Sequence, residues 1–353
     1  MPALQSCAAQ TDVTEERFDL MYKKKKFTEG GPRIVVIGGG TGLSVILRGL
    51  KKISRNISAV VTVADDGGGS GMLRDDYGIL PPGDLRNCIL ALADEEDIME
   101  ELLQYRFKEG RLAGQNMGNL FIAALADIYG DFEVAVEKLH DILRIKGHVL
   151  PVTTADVTLC AMLKNGNTVR GESRIPEEVK KQKSPIDYVF LDPPDVDALP
   201  RATEAILKAD IVVLGPGSLY SSIIPNLLVH GINSAIRSAG GIKMLICNVM
   251  TQPGETDDYT VADFAGAVEK YLGRGVMEYI LVNDHVCSES QLRPYMRGAS
   301  HSRQMLASDE DRAKLRDMGI VLIENDMIAV DDGIIHHDAG RISNIIMTVF
   351  HGA

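Results

Sequence analysis

Residues 34–44 read IVVIGGGTGLS, and the change of character inside this stretch decides the fold. Arg33 to Ile37 form a short apolar run of the kind buried in a parallel strand. Gly38-Gly39-Gly40-Thr41-Gly42 interrupts it, and helical spacing follows from Leu43 to Ile53. A strand that ends in glycines and opens into a helix turns unpaired N–H groups and a positive dipole end toward an anion. Glycine also lets a phosphate reach the backbone without meeting a Cβ. The register from Gly38 places Leu43 where a Rossmann fingerprint has its third glycine, and no Lys-Ser/Thr follows to make a P-loop. Turn shape alone is the competing reason for the glycines.

Working outward, residues 211–222 read IVVLGPGSLYSS and repeat the scheme, with Gly215, Gly217 and Ser218 at the junction. Parallel sheets bind ligands outside the carboxyl ends of their strands, so both junctions are expected to line one crevice. CNVMTQPGET, residues 247–256, adds a third loop after a strand and is followed by Tyr259. Further strand signals cover Ile57–Ala64, Met244–Val249, Tyr279–Val282 and Ile320–Ile323; helical spacing covers Leu85–Ala93 and Leu120–Tyr129, with Asp84 and Asn119 as expected N-caps. The alternation predicts an α/β protein with a mostly parallel, Rossmann-like sheet. Lys164-Asn165-Gly166-Asn167 between two strand-like runs signals a hairpin. With the Pro- and Lys-rich segment 176–200, it predicts a small antiparallel excursion over about 151–200.

Candidate chemistry clusters in the loops. VADDGGGSG, residues 63–71, places Asp65 and Asp66 after the second strand, where carboxylates read ribose hydroxyls or help hold Mg²⁺ beside phosphates. Ser70, Gly71 and the neighbouring glycines add amides and a hydroxyl. LPPGDLRN (80–87) brings Asp84, Arg86 and Asn87 to a helix start, and GQNMGN (114–119) brings Asn116 and Asn119 to another. His336-His337 beside Asp338 is the nearest approach to a metal-ligand cluster, but adjacent strand residues point to opposite faces, so a surface position is expected. No catalytic nucleophile or base stands out, and the activity stays open.

Composition limits the classes. The 353 residues are 45% hydrophobic, enough for a sizeable core, and the formal net charge of −12 argues against a nucleic-acid binder. Cys7, Cys88, Cys160, Cys247 and Cys287 show no paired spacing, which reads as reduced thiols. No apolar run reaches the ~20 residues of a membrane helix, so a cytoplasmic location is expected. Residues 1–30, ending in the run Lys23–Lys26, read as a flexible charged leader before one domain over 31–353.

Taken together, GGGTGLS, TVADDGGGSG, LPPGDLRNCILALAD, GNLFIAAL, GPGSLYSSIIPNLLV and CNVMTQPGET resemble the gluconeogenesis-factor family of YvcK-like proteins, from about Arg33 to past Asn283. The wider superfamily includes the 2-phospho-L-lactate transferase CofD. The resemblance implies a three-layer α/β/α fold, a homodimer, and binding of a UDP-sugar, notably UDP-N-acetylglucosamine. It also implies a regulatory role in cell shape and growth on gluconeogenic carbon, through protein partners in the cell envelope. The transferase relatives imply the alternative, a Mg²⁺-dependent transfer from a nucleoside-diphosphate donor. Carried over, Gly39, Gly40, Thr41, Gly42, Asp65, Asp66, Ser70, Gly71, Asp84, Asn87, Asn116, Asn119, Gly215, Gly217 and Ser218 line the pocket. Tyr259 is a candidate for the base or sugar end and Arg297 for the diphosphate. Two departures stand out: Gly69 replaces a serine of the family pattern, and Gln115-Asn116-Met117 replaces His-Ser-Phe.

Overall fold

The computed structural model describes residues 30–94, 97–296, 302–331 and 333–352. The leader, its lysine run, Cys7 and the candidate Arg297 lie outside the described residues. Strand β1 (Ile34–Gly38) is buried along its whole length and sits inside a sheet, as its unbroken apolar run requires. In chain order come β2 (Ile57–Val61), β3 (His148–Pro151), β4 (Thr158–Leu163), β5 (Thr168–Arg170) and β6 (Ile186–Asp192). They are followed by β7 (Ile211–Leu214), β8 (Ile242–Ile246), β9 (Tyr279–Asn283), β10 (Val321–Asn325), β11 (Ile328–Asp331) and β12 (Ile334–His337).

The main sheet has seven strands in the order β10-β9-β8-β7-β1-β2-β3. Every neighbouring pair is parallel, with Ile34 in register with Ile57 on one side and Ile211 on the other. Helices cover it, completing the α/β/α arrangement. The helix Gly40–Leu50 packs on Gly83–Leu92 and on the last helix, Ala339–Gly352. Gly49 makes the second crossing possible, since a Cβ there would run into Ala339 O and Ser343 Oγ. Strand β8 starts two residues earlier than its sequence signal and ends at Ile246, because Cys247 onward turns into the loop that faces the crevice.

The antiparallel excursion is a three-stranded sheet, β5-β4-β6, with Gly166 of the Asn-Gly turn at φ +87°. The Pro- and Lys-rich segment is more ordered than its composition suggests: it holds the helix Ile175–Gln182 and then β6, which pairs with β4. Strands β11 and β12 form a separate hairpin. Both expected N-caps are corrected. Pro82 occupies the cap position before Gly83–Leu92, and Asp84 bonds elsewhere. Asn116, not Asn119, caps the helix Met117–Tyr129 by accepting the Asn119 N–H at 3.1 Å. Among the described residues no helix is long and apolar enough to cross a membrane. Cys88, Cys160, Cys247 and Cys287 are free and buried.

Candidate functional site

The order of strands reverses between β1 and β7: β2 and β3 continue one way, β8 to β10 the other. At such a switch point the loops leaving two adjacent strands part and open a crevice. A crevice of about 320 Å³ lies there, lined by Gly39, Gly40, Thr41, Gly42, Gly217 and Ser218 together with residues of three further segments. The two glycine junctions that the sequence singled out therefore meet.

The glycines of the first junction are accounted for by shape. A Cβ on Gly39 would lie 2.6 Å from Asp84 Oδ2 and 2.7 Å from Thr62 Cγ2. Gly40 takes φ +70°, the left-handed region. The same shape leaves Gly39 at the N-cap with no side chain of its own; the Asp84 carboxylate takes the Gly40 N–H, and Thr41 and Gly42 of the first turn line the crevice. Turn shape and anion-binding geometry are here one arrangement.

The loop after β8 holds the second junction in place. Asn248 Nδ2 donates to Gly217 O at 2.8 Å and Gln252 Nε2 donates to Ser218 Oγ at 2.7 Å. The opposite wall comes from Tyr295 and from Ile335, His336 and His337 of β12. This corrects the surface position expected for the histidine pair. His337 Nε2 lies 3.1 Å from Cys247 O; a carbonyl only accepts, so this nitrogen carries the proton. Burial lowers the His337 pKa to about 4, and the ring is neutral. His336 Nε2 lies 2.7 Å from the Asp331 carboxylate, while its Nδ1 is buried without a hydrogen-bond partner. The Asp331 carboxylate anchors this ring in the crevice wall.

Two smaller hollows adjoin the crevice. One shares Thr41 and Val45 with it and is also lined by Arg86, Asn87, Arg106 and Asn116. The other shares Arg86, Asn87 and Arg106 and adds Asp65, Ser70, Asp84 and Asn119. Asp84 is pushed up to about 6, chiefly by burial, with the Gly40 N–H opposing and Asp65 adding to the rise. Asp65 is raised by burial as well, against the Gly67 N–H it accepts at 2.9 Å. Burial lowers Arg86 to about 10; its Nη1 donates to Asn119 Oδ1 at 2.6 Å, and its Nε has no partner.

Asp65 and Asp66 diverge. Asp66 Oδ1 accepts the Ser173 N–H at 2.9 Å and does not line the hollow, so the carboxylate that accompanies Asp65 there is Asp84. Gly71 and Gly215 are also absent from the lining: Gly71 sits in the helix Gly68–Tyr77 and Gly215 lies behind the junction at φ +75°. Tyr259 lines a different cavity, its hydroxyl 2.6 Å from that of Tyr220. Among the described residues no group of three or more His, Cys, Asp or Glu could hold a metal ion. Asn248, Gln252, Tyr295, Arg106, His336 and His337 also line these hollows without having been singled out as ligand contacts; the loop 247–256 and the adjacent histidines carried a visible signal, and Arg106 and Tyr295 carried none.

Comparison with known proteins now adds to this geometry. The family described as 2-phospho-L-lactate transferase CofD matches residues 34–328. A putative gluconeogenesis factor of Clostridium acetobutylicum is 49% identical over 329 residues, covering 93% of this chain and 72% of its own. The gluconeogenesis factor of Bacillus subtilis is 43% identical over 317 residues, covering 90% of this chain and 97% of its own. The chain belongs to the gluconeogenesis-factor family, with a CofD-type fold. A crystal structure of a Bacillus halodurans protein, 41% identical, superposes with a TM-score of 0.85 over 90% of this chain and 99% of that one. The CofD match ends where β11 begins, so the histidine wall lies outside the matched residues.

Proposed function

We propose that this protein binds a UDP-sugar, UDP-N-acetylglucosamine by the family resemblance, in the crevice at the carboxyl ends of β1 and β7, and acts as a regulator. The observation that carries this reading is the meeting of two glycine junctions at the switch point, where main-chain amides can take a diphosphate without a basic surface. The adjoining hollow with Asn87, Asn119 and Asp65 offers donors and acceptors for sugar or ribose hydroxyls. A homodimer, a role in cell shape and cell-envelope partners belong to the same reading and rest on the resemblance.

One observation favours a second reading, Mg²⁺-dependent transfer of the phospholactate-transferase type. Asp65 and Asp84 share a hollow in which burial works against both charges, and a divalent cation there would relieve that cost. These two carboxylates would hold the ion, with oxygens of a bound ligand or water completing its shell. Such an ion would supply charge neutralisation at the phosphates.

Thermal unfolding with UDP-N-acetylglucosamine, GDP, NAD⁺ and Mg²⁺ in parallel, followed by assay for released UDP or UMP, separates the readings. Ligand at 100 times its Kd adds ~2.7 kcal/mol of stability. A shift with the UDP-sugar and no product supports the regulator. Product release moves the assignment to the transferase, and a shift with NAD⁺ alone rejects both.

A further inference from the structure

A cavity larger than the crevice lies away from the switch point. About 950 Å³ opens between the antiparallel excursion and the helix Val261–Leu272, within the range of about 300–1,000 Å³ typical of small-molecule sites. One wall carries Lys164 of the β4–β5 turn with Lys180 and Lys183 at the end of the helix Ile175–Gln182. The other carries Tyr220, Tyr259 and the small residues Ala262, Gly266 and Ala267. A Cβ on Gly266 would meet nothing within 4 Å, so the helix leaves room rather than packing.

The charges around the rim are unequally committed. Asp257 accepts the Gly254 N–H at 2.8 Å, and Asp263 accepts the Thr260 N–H at 3.0 Å. Asp258 lies 3.6 Å from the Arg303 guanidinium. Glu255 is buried and accepts the Tyr220 N–H at 3.0 Å. Lys270 donates to Asp187 O at 2.8 Å. The ammonium groups of Lys164, Lys180 and Lys183 have no partner among the described residues, and of the five carboxylates only that of Asp187 has none. The formal charges of the lining nearly cancel, with four lysines against five carboxylates, but the three ammonium groups without a partner share one wall, and that wall is the place for an anion.

The far wall suits a hydroxylated body. Tyr220 and Tyr259 meet edge to face with ring centroids 6.3 Å apart, and their paired hydroxyls retain one proton and free lone pairs. Ala267 on this wall and Val179 and Ile186 on the facing one supply apolar surface, as the ring face of a sugar requires. Tyr220 belongs to the π-turn Leu219–Ile223, whose Ser222 lines the crevice, so this single turn is a wall of both hollows.

We propose that this cavity is a second ligand site, distinct from the crevice, and that it takes a sugar phosphate, the phosphate on the three lysines and the sugar on the tyrosine pair. The test is isothermal titration calorimetry of the full chain with glucose 6-phosphate and with glucose. Binding of the phosphate ester and not of glucose is expected. The triple variant Lys164→Glu, Lys180→Glu, Lys183→Glu changes only exposed side chains and should weaken it by about tenfold or more. An equal charge change elsewhere, Lys52→Glu with Lys208→Glu and Lys314→Glu, should leave it within about threefold. Tyr259→Phe should weaken it about threefold to tenfold by removing one hydroxyl. Absence of heat with glucose 6-phosphate, equal binding of glucose, or equal losses in the two triple variants would each overturn the proposal.

Discussion

The side-chain amide of Asn226 donates to the main-chain oxygen of Gly38 at 3.0 Å, joining the helix that follows β7 to the last residue of β1 across 188 positions of sequence. The same Nδ2 donates to Ser222 O at 2.8 Å, and the side chain is fully buried. Asn226 therefore locks the two glycine junctions in the relative position that makes the crevice. Asn226→Ala removes one donor from Gly38 O, which keeps the Thr62 N–H, and one from Ser222 O, and should cost about 1 kcal/mol in denaturant unfolding. Loss of less than a few tenths would show that the junctions align without it.

Gly49→Ala should destabilise the protein although alanine favours a helix by about 1 kcal/mol. The added methyl enters the space held by Ala339 O and Ser343 Oγ, and overpacking of this kind costs about 1–3 kcal/mol. A rise in melting temperature would contradict the helix crossing.

Asp84 gives a pH dependence with a defined sign. Its folded pKa, about 6, stands above the ordinary 3.8, so the folded chain binds this proton more tightly than the unfolded chain. The stability the group contributes is present below pH 3.8 and is lost as pH rises to 6. Asp84→Asn cannot titrate and retains an oxygen for the Gly40 N–H. The stability difference between variant and parent should move in the variant's favour across that window and then level, at about 3 kcal/mol or less. A difference that does not vary with pH would disprove the assignment.

His336→Ala should weaken UDP-N-acetylglucosamine binding about tenfold, equal to about 1.4 kcal/mol, with little change in melting temperature. Asp331→Asn, which replaces the charged partner of the His336 ring by a neutral one, should produce a smaller loss in the same calorimetric titration. Unaltered affinity in both would remove the β12 wall from the ligand site.

Thr41→Val exchanges an exposed hydroxyl at the open helix start for a methyl of the same shape and should weaken the same ligand about threefold to tenfold without unfolding the chain. Asp65→Ala should weaken it as well. If neither variant changes affinity, the ligand lies elsewhere, and the lysine-lined cavity becomes the next place to measure.

Much of the architecture was readable because parallel strands buried on both faces advertise themselves as unbroken apolar runs: Ile34–Ile37 and Ile211–Leu214 were placed almost to the residue. β3 escaped, since His148–Pro151 has only Val149 and Leu150 as an apolar run, between a histidine and a proline. Asp84 and Asn119 were misread as caps because local spacing identifies a helix start but not which polar group closes it. Asp84 is claimed by Gly40, and Asn119 by Arg86 and Ser70, partners far away in the chain.

By itself, the sequence determined the α/β class, the strand–glycine–helix junctions and the family, because each is written in short-range patterns of burial, backbone freedom and composition. Tertiary structure decided what those patterns could not encode. It set Asp84 rather than Asp66 beside Asp65, moved Tyr259 to a second cavity, and brought His336 and His337 to the crevice. The physical reason is that a side chain's partner is chosen by whichever group the packing of distant elements delivers to it, and that choice carries no local periodicity.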